Sequence, residues 1–183
     1  MNWKNSSVRY SSISIGFHWL MLLLIASVYA CIELRELFPK GSDPREALKM
    51  WHFMLGLSVF MLVFLRLLAR FFSGPAPLIE PPLARWQALA SKAVHYILYG
   101  FMLGMPLAGW TILSLAGKPI PFFGFELPAL VAENKELAKT VKEIHETVGT
   151  VGYYLIGLHA LAALLHHYVF RDNTLLRMLP GKR

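Results

Sequence analysis

All seven histidines of this 183-residue chain fall inside or at the rim of segments apolar enough to be buried in lipid. The densest case is IHETVGTVGYYLIGLHALAALLHHY, residues 144–168, which carries His145, His159, His166 and His167. A neutral imidazole can ligate a metal or relay a proton near neutral pH. Polar groups inside a membrane-buried helix are costly, which makes each a candidate for function. The alternative for any one of them is a hydrogen bond to a neighbouring helix. The only cysteine, Cys31, excludes an internal disulfide, a cysteine-ligated iron–sulfur cluster and a CxxCH haem attachment. Any metal must therefore be held by other ligands. No glycine-rich phosphate loop occurs either.

The elements that must position these histidines are four apolar runs, at about 14–34, 48–70, 93–116 and 146–169. A bilayer core of about 30 Å takes about 20 residues of helix, and each run meets that length. With 56% hydrophobic residues and room for a single domain over 1–183, the chain reads as all-α, an integral membrane four-helix bundle. Lys4 and Arg9 ahead of the first run, with Val28, Tyr29 and Ala30 before Cys31, also suit a signal peptide. That run is too long for a signal core and holds His18 and Trp19, so it reads as a retained span. Four spans put both termini on one side.

With that side cytoplasmic, the inner segments hold ten of the eighteen Lys and Arg, Lys182 and Arg183 among them, while nine of the eleven acidic residues fall outside. The lysine and arginine bias is thin but has the sense of the positive-inside rule. The net charge of +7 is accounted for by topology and by attraction to anionic headgroups, not by nucleic acid. The connections are short and rich in proline. Residues from about 129 to 144, with Leu130, Leu137, Val141 and Ile144 among charges, suggest an amphipathic helix on the outer surface.

Helix geometry then sorts the histidines by depth. His159 lies 14 residues beyond His145, about 21 Å deeper and nearly on the same face, and His166 shares that face a further seven residues on. His52, at the outer end of the second span, comes level with His145. His18 lies about 22 Å from the outer end of the first span, level with His159. His95 falls about 10 Å below His159, level with His166. Two imidazoles facing each other across a helix bundle suit axial ligation of haem iron; zinc usually takes four ligands. Gly56 and Gly149 stand four residues after His52 and His145, where a missing side chain leaves space for a flat macrocycle. Ordinary close helix packing also favours small residues at such places.

ISIGFHW near the start, ELRELFPKG after the first span, the long fourth-span segment and RDNTLLRMLP together resemble the bacterial cytochrome b561 family over essentially the full chain. The resemblance is to its diheme superoxide:ubiquinone oxidoreductases. It implies a multi-pass protein of the bacterial inner membrane with two haem b groups, the inner on His18 and His159 and the outer on His52 and His145. It also implies oxidation of superoxide to dioxygen at the periplasmic face, with electrons passing through both haems to ubiquinone near the cytoplasmic face. Arg35 and Lys40, in the first outer loop, are candidates for steering the anion, although Glu33, Glu36, Asp43 and Glu46 interleave with the loop's cations. His166 and His95 are candidates for the quinone, where an imidazole can hydrogen-bond a carbonyl and relay protons. The expected partners are the lipid bilayer, superoxide and ubiquinone; a monomer and a homodimer both fit. An electron-relay anchor for a soluble dehydrogenase or hydrogenase, or a haem-free transporter using histidines as proton relays, would need a docking partner or an absence of haem respectively.

Overall fold

The computed structural model describes residues 3–181, so Lys182 and Arg183 lie outside it. Four long helices dominate: α1 Ser12–Leu34, α2 Asp43–Phe72, α3 Arg85–Leu115 and α4 Lys135–Leu165. All four are long and apolar enough to cross a membrane. Their starts are chemically marked. The Ser11 hydroxyl accepts the Ser14 N–H at 3.2 Å, and the Asn134 carboxamide oxygen accepts the Leu137 N–H at 3.0 Å. The Gln87 side chain reaches back to the Ala84 N–H at 2.9 Å. Helix α3 stops where Gly117 takes φ +63°, with the Lys118 N–H returning to the Leu113 carbonyl at 3.0 Å.

The chain divides into two compact units. The loop unit comprises Met21–Val63 and Met102–Thr150. Its core is Leu57, Leu113 and Ile120, flanked by Phe53, Trp110, Phe122 and Leu127. A small hairpin, β1 Pro121–Phe122 and β2 Phe125–Glu126, pairs antiparallel through Phe122 opposite Phe125. Its two turn residues, Phe123 and Gly124, both have positive φ, as a tight turn matching strand twist requires. Arg45, only 7% exposed, holds the first loop: it donates to the carbonyls of Arg35 and Phe38 and to both carboxylate oxygens of Glu36.

Among the described residues the terminal unit comprises 3–20, Phe64–Phe101 and 151–181. Backbone and side-chain hydrogen bonds stitch its three segments together. Asn5 N–H donates to the Ser73 carbonyl and Leu78 N–H to the Ser7 carbonyl, both at 2.9 Å. The Trp19 indole donates to the Met178 carbonyl at 2.8 Å, and Asn173 exchanges hydrogen bonds with Leu78 and Glu80.

The expected surface helix over 129–144 is not a separate element. Residues 129–134 are non-helical, and from Lys135 the helix runs straight into the fourth span. No proline interrupts 135–165, and the glycines at 149, 152 and 157 alone do not break a helix that lipid and neighbours stabilise. Helix α3 likewise begins ten residues before His95 instead of two, with consequences for that residue's place.

Candidate metal centres

In the loop unit, α2 supplies His52 and α4 supplies His145. Their ring centroids are 6.4 Å apart with planes at 80°. His52 donates from Nδ1 to the Val28 carbonyl of α1 at 3.0 Å, which fixes the tautomer and leaves Nε2 free to bind a metal. The Nδ1 of His145 is buried near the Met105 carbonyl without a hydrogen bond of good geometry. Gly109 of α3 gives the His145 ring its room, since a Cβ there would stand 3.6 Å from Cε1. A Cβ on Gly56 would meet no atom within 4 Å, whereas one on Gly149 would touch the Met105 methyl at 3.5 Å. The Gly149 carbonyl accepts the Tyr29 hydroxyl at 2.7 Å.

In the terminal unit, His18 of α1 and His159 of α4 have centroids 6.2 Å apart with planes at 58°. Arg66 of α2 donates from Nη2 to the His18 Nδ1 at 2.9 Å and lies 5.8 Å over the Tyr99 ring. His95 packs edge-on against His159, centroids 5.2 Å apart, with its Nδ1 donating to the Ser91 carbonyl at 2.6 Å. It therefore stands beside the His18–His159 pair and not at the depth of His166. Ten residues of helix precede it, about 15 Å of rise, so the residue is well inside the helix and not at its mouth.

The two separations carry chemical information. A metal–imidazole bond is about 2.0–2.1 Å and an imidazole centroid lies about 1.1 Å behind its nitrogen, so two rings sharing one metal in line sit about 6.3 Å apart. Both pairs match; the 5.2 Å of His95 and His159 is too short for that arrangement. Among the described residues no three His, Cys, Asp or Glu side chains converge on a point that could hold a metal. Each pair can thus bind an ion whose remaining positions are filled from outside the protein, as a porphyrin fills them.

The family model for prokaryotic cytochrome b561 matches residues 9–181. The chain belongs to the prokaryotic cytochrome b561 family. It is 42% identical over 176 residues to "Cytochrome b561 homolog 1" of Escherichia coli (strain K12), covering 96% of this chain and 99% of that one. It is 39% identical over 175 residues to "Probable superoxide oxidase CybB" of Yersinia pestis, covering 96% and 98%. "Cytochrome b561 homolog 2" of the same Escherichia coli strain is 31% identical over 184 residues. Membership makes the chain a b-type haem protein of electron transfer, spanning the bacterial inner membrane several times.

The remaining site candidates of this cytochrome b561 family protein are placed as follows. Arg35 is half-buried, its Nε 3.0 Å from Glu36, while Lys40 is exposed. His166 is gripped through Nδ1 by the carboxylate of Asp172, and the His167 ring packs on Tyr168 at 4.7 Å. Sequence reasoning missed Asp172, the Arg66 contact with His18 and the space at Gly109. The first lies past the end of a helical pattern. Arg66 carried a signal, a cation one turn inside the end of an apolar run.

Proposed function

We propose that this chain is a diheme superoxide:ubiquinone oxidoreductase. His52 and His145 would ligate one haem b and His18 and His159 the other, both termini lying on the cytoplasmic side. The observation that supports this most is the pair of imidazole separations, 6.4 and 6.2 Å, each the span of one shared iron. The name of the Yersinia pestis relative points to the donor. When bound, the haem irons supply one-electron relays, a chemistry no side chain of this chain performs. Two superoxide anions then give two electrons, which with two protons convert one quinone to its quinol and release two dioxygen molecules.

The chain's own groups do the rest. His52, held by the Val28 carbonyl, offers an oriented Nε2 lone pair. Arg66 donates to the His18 Nδ1, which leaves that neutral ring's proton on Nε2. Were His18 to hold a haem through Nε2, its proton would sit on Nδ1 and the guanidinium would need another acceptor; Tyr99 lies beneath it. Gly56 would leave open space for a macrocycle one turn from His52, whereas a Cβ on Gly149 would meet the Met105 methyl at 3.5 Å. Of the two quinone candidates, His95 stands with the haem pair, so His166 is the one carried forward as the group that hydrogen-bonds a quinone carbonyl.

On the periplasmic face Glu36 is paired with Arg35 and Arg45, and Glu46 with Lys49 at 2.6 Å, while Lys40 is exposed and would be the cation that meets the anion. Lys40→Glu is expected to slow haem reduction by superoxide by about 2- to 5-fold at low salt and to flatten its dependence on ionic strength. A variant with an unchanged salt slope removes Lys40 from the steering role.

The test of the whole reading uses detergent-purified protein. Haem quantitation should give about two b haems per chain, and a superoxide pulse should reduce them, with reoxidation on adding a soluble ubiquinone. Haems that superoxide leaves oxidised would point to a protein donor and overturn the proposed activity.

A further inference from the structure

Where α4 ends, the backbone does two uncommon things in succession. His166–Phe170 is π-helical, and Arg171, a non-glycine residue, takes the left-handed conformation at φ 56°, ψ 38°. π-helical turns are rare and cluster at functional sites, and the left-handed conformation is disfavoured for a residue with a Cβ. Together they make one contact. The N–H groups of Arg171 and Asp172 both return to the His166 carbonyl, the latter at 3.1 Å, and the chain reverses. The reversal brings the Asp172 carboxylate against the His166 Nδ1. In an unbroken α-helix residue 172 would lie about 9 Å further along than residue 166 and about 120° around from it, out of reach.

Asp172 is a built group, 5% exposed, its second oxygen accepting the Thr174 N–H at 2.8 Å. Burial pushes its carboxyl up, but hydrogen bonds from His166 and Thr174 outweigh that and hold it below the usual carboxylate range. It is therefore ionised throughout the neutral range. The other charged group facing it is Arg177, 7% exposed, which donates to the Pro77 carbonyl and lies 5.6 Å over the Tyr10 ring. The Phe170 ring lies 5.1 Å from that of His166.

We propose that Asp172 is the positioning residue for proton delivery to the quinone: it fixes His166 with Nδ1–H toward the carboxylate and Nε2 toward a carbonyl oxygen. This rests on the reading that His166 meets the quinone. A carboxylate so placed holds an imidazole in one orientation and tautomer and offsets the charge the ring carries during transfer. With the ring protonated at both nitrogens, reduction of the quinone would be accompanied by breaking of the Nε2–H bond and formation of an O–H bond on the carbonyl oxygen, leaving the neutral ring whose Nδ1–H the carboxylate holds. The ring then regains a proton from water, and a second electron and proton complete the quinol.

The experiment pre-reduces the purified holoprotein with dithionite and follows haem reoxidation by a short-tailed ubiquinone between pH 5.5 and 9, in H2O and D2O. Asp172→Asn is expected to retain both haems and to slow reoxidation about 10- to 100-fold at pH 8, recovering as pH falls and with a larger solvent isotope effect. Asp172→Glu, which keeps the carboxylate, is expected to stay within about 3-fold of the parent. An Asp172→Asn rate that is unchanged, or lowered equally at every pH with an unaltered isotope effect, would falsify the proposal and leave Asp172 as a tail anchor. If Asp172→Asn fails to hold haem, Asp172→Glu carries the test, and loss of its reoxidation with haems intact overturns the proposal. His166→Ala separates the two layers: unaffected reoxidation there removes the quinone from His166 altogether, whereas slow His166→Ala with normal Asp172→Asn removes only the role of Asp172.

Discussion

His52→Ala is expected to lower the haem content of the purified protein from about two per chain to about one, and to leave the spectrum of the surviving haem low-spin. His145→Ala should give the same haem loss, because the two imidazoles stand 6.4 Å apart, the span of one shared iron. His18→Ala and His159→Ala should remove the other haem, and a double variant such as His52→Ala with His18→Ala should remove both. Electron flow from superoxide to quinone then falls by about 100-fold or more in each single variant, since the relay is cut. His95→Ala is the control. It lies 5.2 Å from His159, too close for in-line sharing of one iron, so the variant should keep two haems. Pyridine haemochromogen quantitation decides all of these. A His52→Ala protein with two low-spin haems, or a His95→Ala protein with one, assigns the ligands differently.

The pairing of histidines was legible in the sequence because helix rise converts residue number directly into depth, and lipid-spanning helices are long enough for that conversion to hold. His18 with His159 and His52 with His145 came from spacing alone. The same conversion failed for His95, where everything depends on where the helix starts. Apolarity marks the onset of the third span at about residue 93, but the helix begins at Arg85. Amphipathic turns at a membrane surface remain helical after their hydropathy has dropped. The same physics merged the expected surface helix into α4. Contacts made by chain reversal were not legible at all. Asp172 meets His166 only because a π-helical turn and a left-handed Arg171 fold it back, and neither leaves a periodic trace. The loop charges were half legible: their mixture was visible, whereas the clustering of Arg35 and Arg45 on one glutamate depends on the fold.

Gly56→Leu should expel the haem of the loop unit without harming the protein itself. Gly56 stands one turn beyond His52, about 6 Å along the same face of α2. A Cβ added there meets no protein atom within 4 Å, so the side chain starts into open space. Replacing glycine inside a helix by leucine also gains about 0.8–1 kcal/mol of helix propensity. Protein packing alone therefore predicts a variant at least as stable as the parent. If the open space belongs to a macrocycle ligated by His52 and His145, the leucine occupies its volume. The haem content should then drop toward about one per chain while the thermal midpoint of the haem-free protein holds or rises. Gly149→Ala gives the contrast: its Cβ reaches ordinary contact with the Met105 methyl at 3.5 Å, so one methyl group is accommodated and both haems stay. Were the space at Gly56 filled only by lipid tails, leucine would be innocuous and the haem content would remain at two. Haem content and the thermal midpoint of the haem-free protein separate these cases, because packing damage lowers both whereas competition for the haem volume lowers only the first.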